Sequence, residues 1–126
     1  MSTLRVTTIQ DESGSNASTA EEINKGRAKA WVKFNGTTGS GTGYSDMTMD
    51  GSFNVSSVTD GGTGIYTVNF TNAMPDANYA IVLTANEYFI IQGAIPTTNG
   101  FRVHTYSNYS PVAYVDAQRV YAAVFN

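Results

Sequence analysis

The chain has 126 residues, a formal net charge of −3 and a sequence pI of about 4.8, which suits a single domain with one hydrophobic core. We expect no nucleic-acid partner, because no lysine or arginine between Lys33 and Arg102 could follow a phosphate backbone. Cysteine is absent, which excludes disulfides and thiolate chemistry, and we expect no membrane insertion because no segment approaches roughly 20 apolar residues.

The first 26 residues are predicted to form an extended arm and one short helix. Apolar and polar residues alternate over positions 4–9, which favours a short strand. Two overlapping capping boxes follow, Ser18 with Glu21 and Thr19 with Glu22. Gly26 lies where a helix of about two turns would end. We place the start of the main domain after this glycine, so that it spans residues 27–126.

From position 28 onward the apolar period changes to two, which is typical of strands. Including the N-terminal strand, the chain carries about seven or eight short alternating runs separated by turn signals. The other runs lie at residues 28–34, from residue 53 to the DGGTG segment at residue 60, and at residues 65–70, 79–85, 88–94, 101–106 and 118–125. Residues 35–43 are predicted to be a flexible loop. The pattern predicts an all-β protein with an antiparallel, jelly-roll-like β-sandwich.

The segment DGGTG at residues 60–64 places three glycines in five positions. A phosphate-binding loop would need a lysine and a helix after these glycines. Here the chain continues as IYTVNF, which has the alternation of a strand. The segment therefore predicts a hairpin turn, in which we expect Gly61 and Gly62 to hold the positive φ angles.

No group of residues in the sequence indicates catalysis. His104 is the only histidine, and no Gly-x-Ser-x-Gly motif supplies a nucleophile for it. Asp46 and Asp50 lack the alternating oxygen ligands of a calcium loop. We therefore predict no catalytic residues, no metal site and no cofactor, and a protein that is not an enzyme.

Aromatic residues are the remaining candidates for a binding site. Tyr106, Tyr109 and Tyr114 lie in YSNYSPVAY, where flat rings stand beside hydroxyl and amide groups as a sugar-binding surface requires. The same tyrosines could instead close the edge of the core or form a subunit contact. Trp31, between Lys29 and Lys33 on the less apolar side of its strand, is a further candidate for a subunit contact.

Several segments of the chain resemble a β-rich module at the distal, C-terminal end of bacteriophage tail fibres and tailspikes. They are RAKAWVKFNGT at residues 27–37, SFNVSSVTDGGTGIYTVNFTNAMPDANY at residues 52–79 and the closing RVYAAVF. The opening STLRVTTIQDESGSNAST is similar to the lead-in of such proteins. The chain has Gly61 where Asn is familiar in the family, and residues 38–51 and 87–118, which include the tyrosine-rich loop, match poorly. The resemblance implies a homotrimeric β-sandwich on the virion surface with host-surface polysaccharide as a candidate ligand.

Two virion roles fit this resemblance. The chain carries neither the attachment region nor the shaft of a tail fibre, so we expect a stand-alone capsid decoration or cement protein. Its N-terminal arm, residues 2–18, would reach the major capsid protein while the sandwich projects outward. The alternative is a glycan-binding tip module of a tail fibre or tailspike, mounted on another tail component.

Overall fold

The regular secondary structure is almost entirely β in a computed structural model, which describes residues 1–39, 46–86 and 89–126. The elements are β1 (Thr8–Ile9), β2 (Ser18–Thr19), α1 (Ala20–Gly26), β3 (Ala30–Phe34), β4 (Met49–Phe53), β5 (Val55–Asp60), β6 (Ile65–Phe70), β7 (Ala80–Ala85), β8 (Phe89–Thr97), β9 (Gly100–Ser107) and β10 (Val120–Phe125). The predicted antiparallel β-sandwich with one short helix is confirmed. Position 88 of the predicted 88–94 strand and positions 40–43 of the predicted loop lie outside the described residues.

Two four-stranded antiparallel sheets form the sandwich, in the orders β4-β3-β10-β7 and β5-β6-β9-β8. Side chains alternate between the core and the solvent along each long strand, as in β9, where Phe101, Val103 and Thr105 are buried. The facing sides of both sheets contribute to one core. Phe34 and Tyr66 pack edge to face across it, with ring centroids 5.2 Å apart.

The chain passes from one sheet to the other at Asn54, where the sequence predicted a single uninterrupted strand. Asn54 has a φ of 53°, a left-handed conformation that asparagine tolerates better than most residues. Its side-chain amide donates to the carbonyl oxygens of Lys29 and Asn72, at 3.1 Å each, and accepts from the Asn72 N–H at 2.8 Å. Asn54 therefore separates Phe53, where the predicted strand begins, from β5. Phe53 instead ends β4, whose other residues the sequence did not assign to a strand, and the described residues form ten strands rather than seven or eight.

Replacing Asn54 with alanine should lower the free energy of unfolding by about 2 kcal/mol, from lost hydrogen bonds and left-handed strain. Asn54→Gly removes the same hydrogen bonds but accepts the positive φ, so its loss should be smaller. Urea unfolding of the two variants measures the difference. Equal losses for alanine and glycine would show that the backbone angle contributes nothing.

The N-terminal arm carries the short helix and little other regular structure. Of the two predicted capping boxes, the one between Thr19 and Glu22 forms, with the Glu22 N–H donating to Thr19 Oγ1 at 3.1 Å. The strand predicted over residues 4–9 is restricted to β1, which pairs with β2. No helix in the described ranges is long and apolar enough to cross a membrane.

The DGGTG segment forms the predicted hairpin turn between β5 and β6. Gly62 has a φ of 116° and Gly64 a φ of 65°. The prediction of a positive φ is confirmed at Gly62 and wrong at Gly61, whose N–H donates to the Ile65 carbonyl at 2.8 Å. The second left-handed position is Gly64, where the turn meets a neighbouring segment.

Candidate functional site

The outward side of the sheet β5-β6-β9-β8 carries mainly polar side chains, with Ile65 in the row of His104 and Ile95 exposed in β8, and we call it the polar face. Residues that alternate with the buried core positions form it, and strand pairing aligns them in rows: Ser57 with Asn69, Thr59 with Thr67 and Arg102, and His104 with Gln92. Asn69 Nδ2 donates to Ser57 Oγ at 3.1 Å and to Thr59 Oγ1 at 3.0 Å. These hydrogen bonds fix the amide and hydroxyl groups of adjacent strands in one arrangement.

An aromatic cluster of His104, Tyr106 and Tyr114 continues the polar face along β9. The Tyr106 and Tyr114 rings lie 4.5 Å apart between centroids, and the Tyr106 hydroxyl donates to that of Tyr114 at 3.2 Å. His104 Nδ1 lies 3.3 Å from the Tyr106 hydroxyl. The hydrogen bond to Tyr114 raises the pKa of Tyr106 above the ordinary value for tyrosine.

Backbone contacts hold the segment of Tyr114 against β9. Tyr106 and Tyr114 form an isolated antiparallel bridge, and the Ser107 N–H donates to the Ala113 carbonyl at 2.8 Å. The Val115 N–H donates to the Thr105 carbonyl at 3.2 Å. Tyr114 remains 42% exposed, so one aromatic ring is both fixed in position and accessible.

Arg102 lines two shallow depressions on the polar face. The larger, of about 220 Å³, is lined by Thr67, Asn69, Ile95, Thr97, Asn99, Gly100, Phe101 and Arg102. The smaller, of about 130 Å³, is lined by Thr59, Asp60, Gly61, Ile65, Thr67 and Arg102. Arg102 is exposed, and the ion pairs found among the described residues, Lys25 with Glu21 and Lys33 with Asp50, do not include it.

The outward side of the other sheet is largely apolar, and we call it the apolar face. Phe53, Trp31, Ala123 and Val82 form one row across its four strands. In the next row Tyr121 stands between Lys33 and Thr84. Val82 is 58% exposed, Phe53 54% and Trp31 43%. A depression of about 390 Å³ lies between Trp31, Val82 and Tyr121.

The structure separates the residues that the sequence singled out. Tyr106 and Tyr114 meet in the aromatic cluster, Tyr109 is exposed in the loop after β9, and Trp31 lies on the apolar face. Sequence reasoning missed Arg102. It treated His104 as an isolated residue, although Arg102, His104 and Tyr106 occupy alternate positions of one predicted strand.

Within the described parts of the chain, no three His, Asp or Glu side chains assemble into a group that could hold a metal ion. No family model, curated protein or solved structure matches the chain. The polar face and the apolar face of the sandwich are the features that bear on function.

Proposed function

We propose that this protein is a structural component of a bacteriophage virion, a trimeric decoration or cement protein on the outside of the capsid that also adheres to host-surface glycans. The observation that carries the proposal is the division of the sandwich into an apolar and a polar outward face. One face suits a protein contact and the other a hydroxyl-rich ligand. The resemblance of the segments at residues 27–37 and 52–79 to a phage tail module adds the virion setting.

The apolar face supports the proposed homotrimer. Contiguous exposed apolar groups on a soluble domain mark protein contacts, and aromatic side chains are enriched in such contacts. Trp31, Phe53 and Val82 stand in one row, each more than 40% exposed in the single chain. Burial against copies of the chain would remove these side chains from water.

The N-terminal arm supports attachment to the major capsid protein. Leu4, Val6 and Ile9 are exposed and contribute nothing to the core of the sandwich. Apolar side chains on an extended segment can pack into a groove of a neighbouring subunit or add a strand to its sheet. The arm therefore has the chemistry needed to bind the shell.

The aromatic cluster favours the second candidate, a glycan-binding tip module of a tail fibre or tailspike. Tyr114 presents an exposed, fixed ring beside the hydroxyl and amide groups of the polar face. A module at the tail tip would use this face to bind the host. Both candidates share the fold and differ in where the protein lies in the virion.

Immunogold electron microscopy of the phage particle tests the location. We expect label distributed over the capsid shell and absent from the tail. Label confined to the tail tip would overturn the decoration role and favour the receptor-binding module. Particles that carry no label anywhere would refute both virion roles.

Light scattering of the purified protein tests the trimer, and we expect three times the mass of one chain. Val82→Lys should shift the protein towards monomers, because it places a charge in the proposed contact. Thr59→Lys on the polar face is the matched control and should stay trimeric. A monomeric wild-type protein, or equal effects of the two substitutions, would contradict the apolar face as the subunit contact.

A further inference from the structure

We propose that the polar face binds acidic glycans, with Arg102 recognising a sugar carboxylate and the Tyr106–Tyr114 pair packing against another sugar ring of the same oligosaccharide. This inference rests on the proposed glycan adhesion and assigns to it a ligand class and a site. It makes Arg102 the residue that determines specificity.

Arg102 has the chemistry and the setting to bind a carboxylate. The guanidinium group is always charged, and its planar donors match the two oxygens of a carboxylate. Asp60 lines the adjacent depression, but it is only 6% exposed and its Oδ1 accepts from the Gly62 N–H at 2.8 Å. Among the described residues Arg102 forms no ion pair, so a ligand carboxylate would not have to displace an internal one.

Arg102 is the one lysine or arginine in the described parts of β5, β6, β8 and β9, and this also limits the class of anion. The chain carries a net charge of −3, and a nucleic acid would need several phosphate contacts to bind. Arg102 can recognise one carboxylate while the neighbouring groups bind uncharged parts of the ligand. This arrangement fits a glycan with spaced carboxylates better than a densely charged polyanion.

The two depressions that Arg102 lines also supply hydrogen-bonding groups. Thr67 lines both of them, and Thr97 and Asn99 line the larger one. Ile95 in the larger depression has a φ of 49°, which is a strained conformation for a β-branched residue. Hydroxyl and amide groups beside an exposed arginine suit the ring hydroxyls of a uronic acid.

The aromatic cluster and Arg102 lie on the same side of β9, so an extended ligand that runs along this strand could reach both. Arg102, His104 and Tyr106 occupy alternate positions, so about 7 Å separates each from the next along the strand. The hydrogen-bonded Tyr106 and Tyr114 rings form a platform for the apolar face of a sugar. A short oligosaccharide could therefore contact the guanidinium group and the ring pair at once.

Affinity electrophoresis of the intact protein in gels with polygalacturonate, alginate or hyaluronate tests the inference, with neutral dextran and pullulan as reference polymers. We expect retardation by at least one uronate polymer and weaker retardation by both neutral ones. Arg102→Ala should weaken binding to that uronate about tenfold, and Arg102→Lys should weaken it less. Arg119→Ala, which removes an equal charge from an exposed position elsewhere, should leave it unchanged.

Three outcomes would overturn the inference: no retardation by any uronate polymer, equal retardation by neutral and acidic polymers, or equal losses for Arg102→Ala and Arg119→Ala. The particle labelling described above is an independent measurement. Label on the capsid without uronate binding would refute the acidic-glycan site and leave the virion role intact. Arg102-dependent uronate binding without any label would refute the virion role alone.

Discussion

Replacing Gly64 with alanine should lower the free energy of unfolding by about 3 kcal/mol or more, from backbone strain and overpacking together. Gly64 has a φ of 65°, and a Cβ atom there would lie 2.5 Å from the Thr105 carbonyl oxygen and 2.9 Å from the Val115 nitrogen. Its N–H donates to Asp116 Oδ1 at 2.7 Å, and its carbonyl accepts from the Thr105 N–H at 2.9 Å. The added methyl group would force these backbone segments apart.

Gly62→Ala is the matched control within the same turn. Gly62 also has a positive φ, of 116°, but a Cβ atom there would meet nothing within 4 Å. The free energy of unfolding of this variant should fall by only about 1 kcal/mol, from backbone strain alone. Urea unfolding of both variants gives the comparison, and equal losses would show that the close approach at Gly64 is unimportant for stability.

Replacing Tyr66 with phenylalanine should lower the free energy of unfolding by about 2 kcal/mol, because it removes a buried hydroxyl that pairs with several polar groups. The hydroxyl lies 3.2 Å from both the Gly36 carbonyl oxygen and Asp116 Oδ1, and it accepts from the Ala117 N–H at 3.3 Å. Phenylalanine would keep the ring packed against Phe34 but would leave these polar partners without the hydroxyl. Tyr114→Phe removes a hydroxyl from a side chain that is 42% exposed on the polar face, and it should change stability little.

The pH dependence of unfolding gives a second measurement on Tyr66. Burial raises the pKa of its phenol, so above the unfolded-state pKa of about 10 the unfolded chain loses a proton that the folded chain keeps. Stability should therefore fall as pH rises above about 10, and Tyr66→Phe should make that fall less steep. Burial also raises the pKa of Tyr79, so part of the fall should remain. An unchanged slope would contradict the burial of an uncharged phenol at position 66.

The sandwich was predictable from the sequence because alternation in β3, β6 and β9 records directly which side chains are buried. Local signals also predicted the helix at Thr19 and the turn at DGGTG. The division at Asn54 was not predictable, since a left-handed asparagine leaves the alternation around it unchanged. Which glycines hold positive φ was only partly predictable, because Gly64 is constrained by Thr105 and Val115, which are distant in sequence.

Only part of the candidate site was predictable, because local sequence patterns do not show which distant segments come together. The tyrosine-rich segment indicated a ring surface, but only the fold shows that Tyr106 and Tyr114 pair while Trp31 lies on the opposite face. Arg102 could have been found by extending the period of two along β9. The alternation of residues does not predict that β9 pairs with β6, and it is this pairing that places Thr67 beside Arg102.

The passage of the chain through Asn54 has a mechanical consequence. β4, which ends in Phe53 on the apolar face, and β5, which carries Thr59 on the polar face, are separated by this one residue. If copies of the chain meet through the apolar face and a glycan binds the polar face, tension entering at the glycan would reach the subunit contact along a nearly continuous stretch of backbone. The amide of Asn54, bonded to Lys29 and Asn72, would tie that stretch to two further segments and share the force among them.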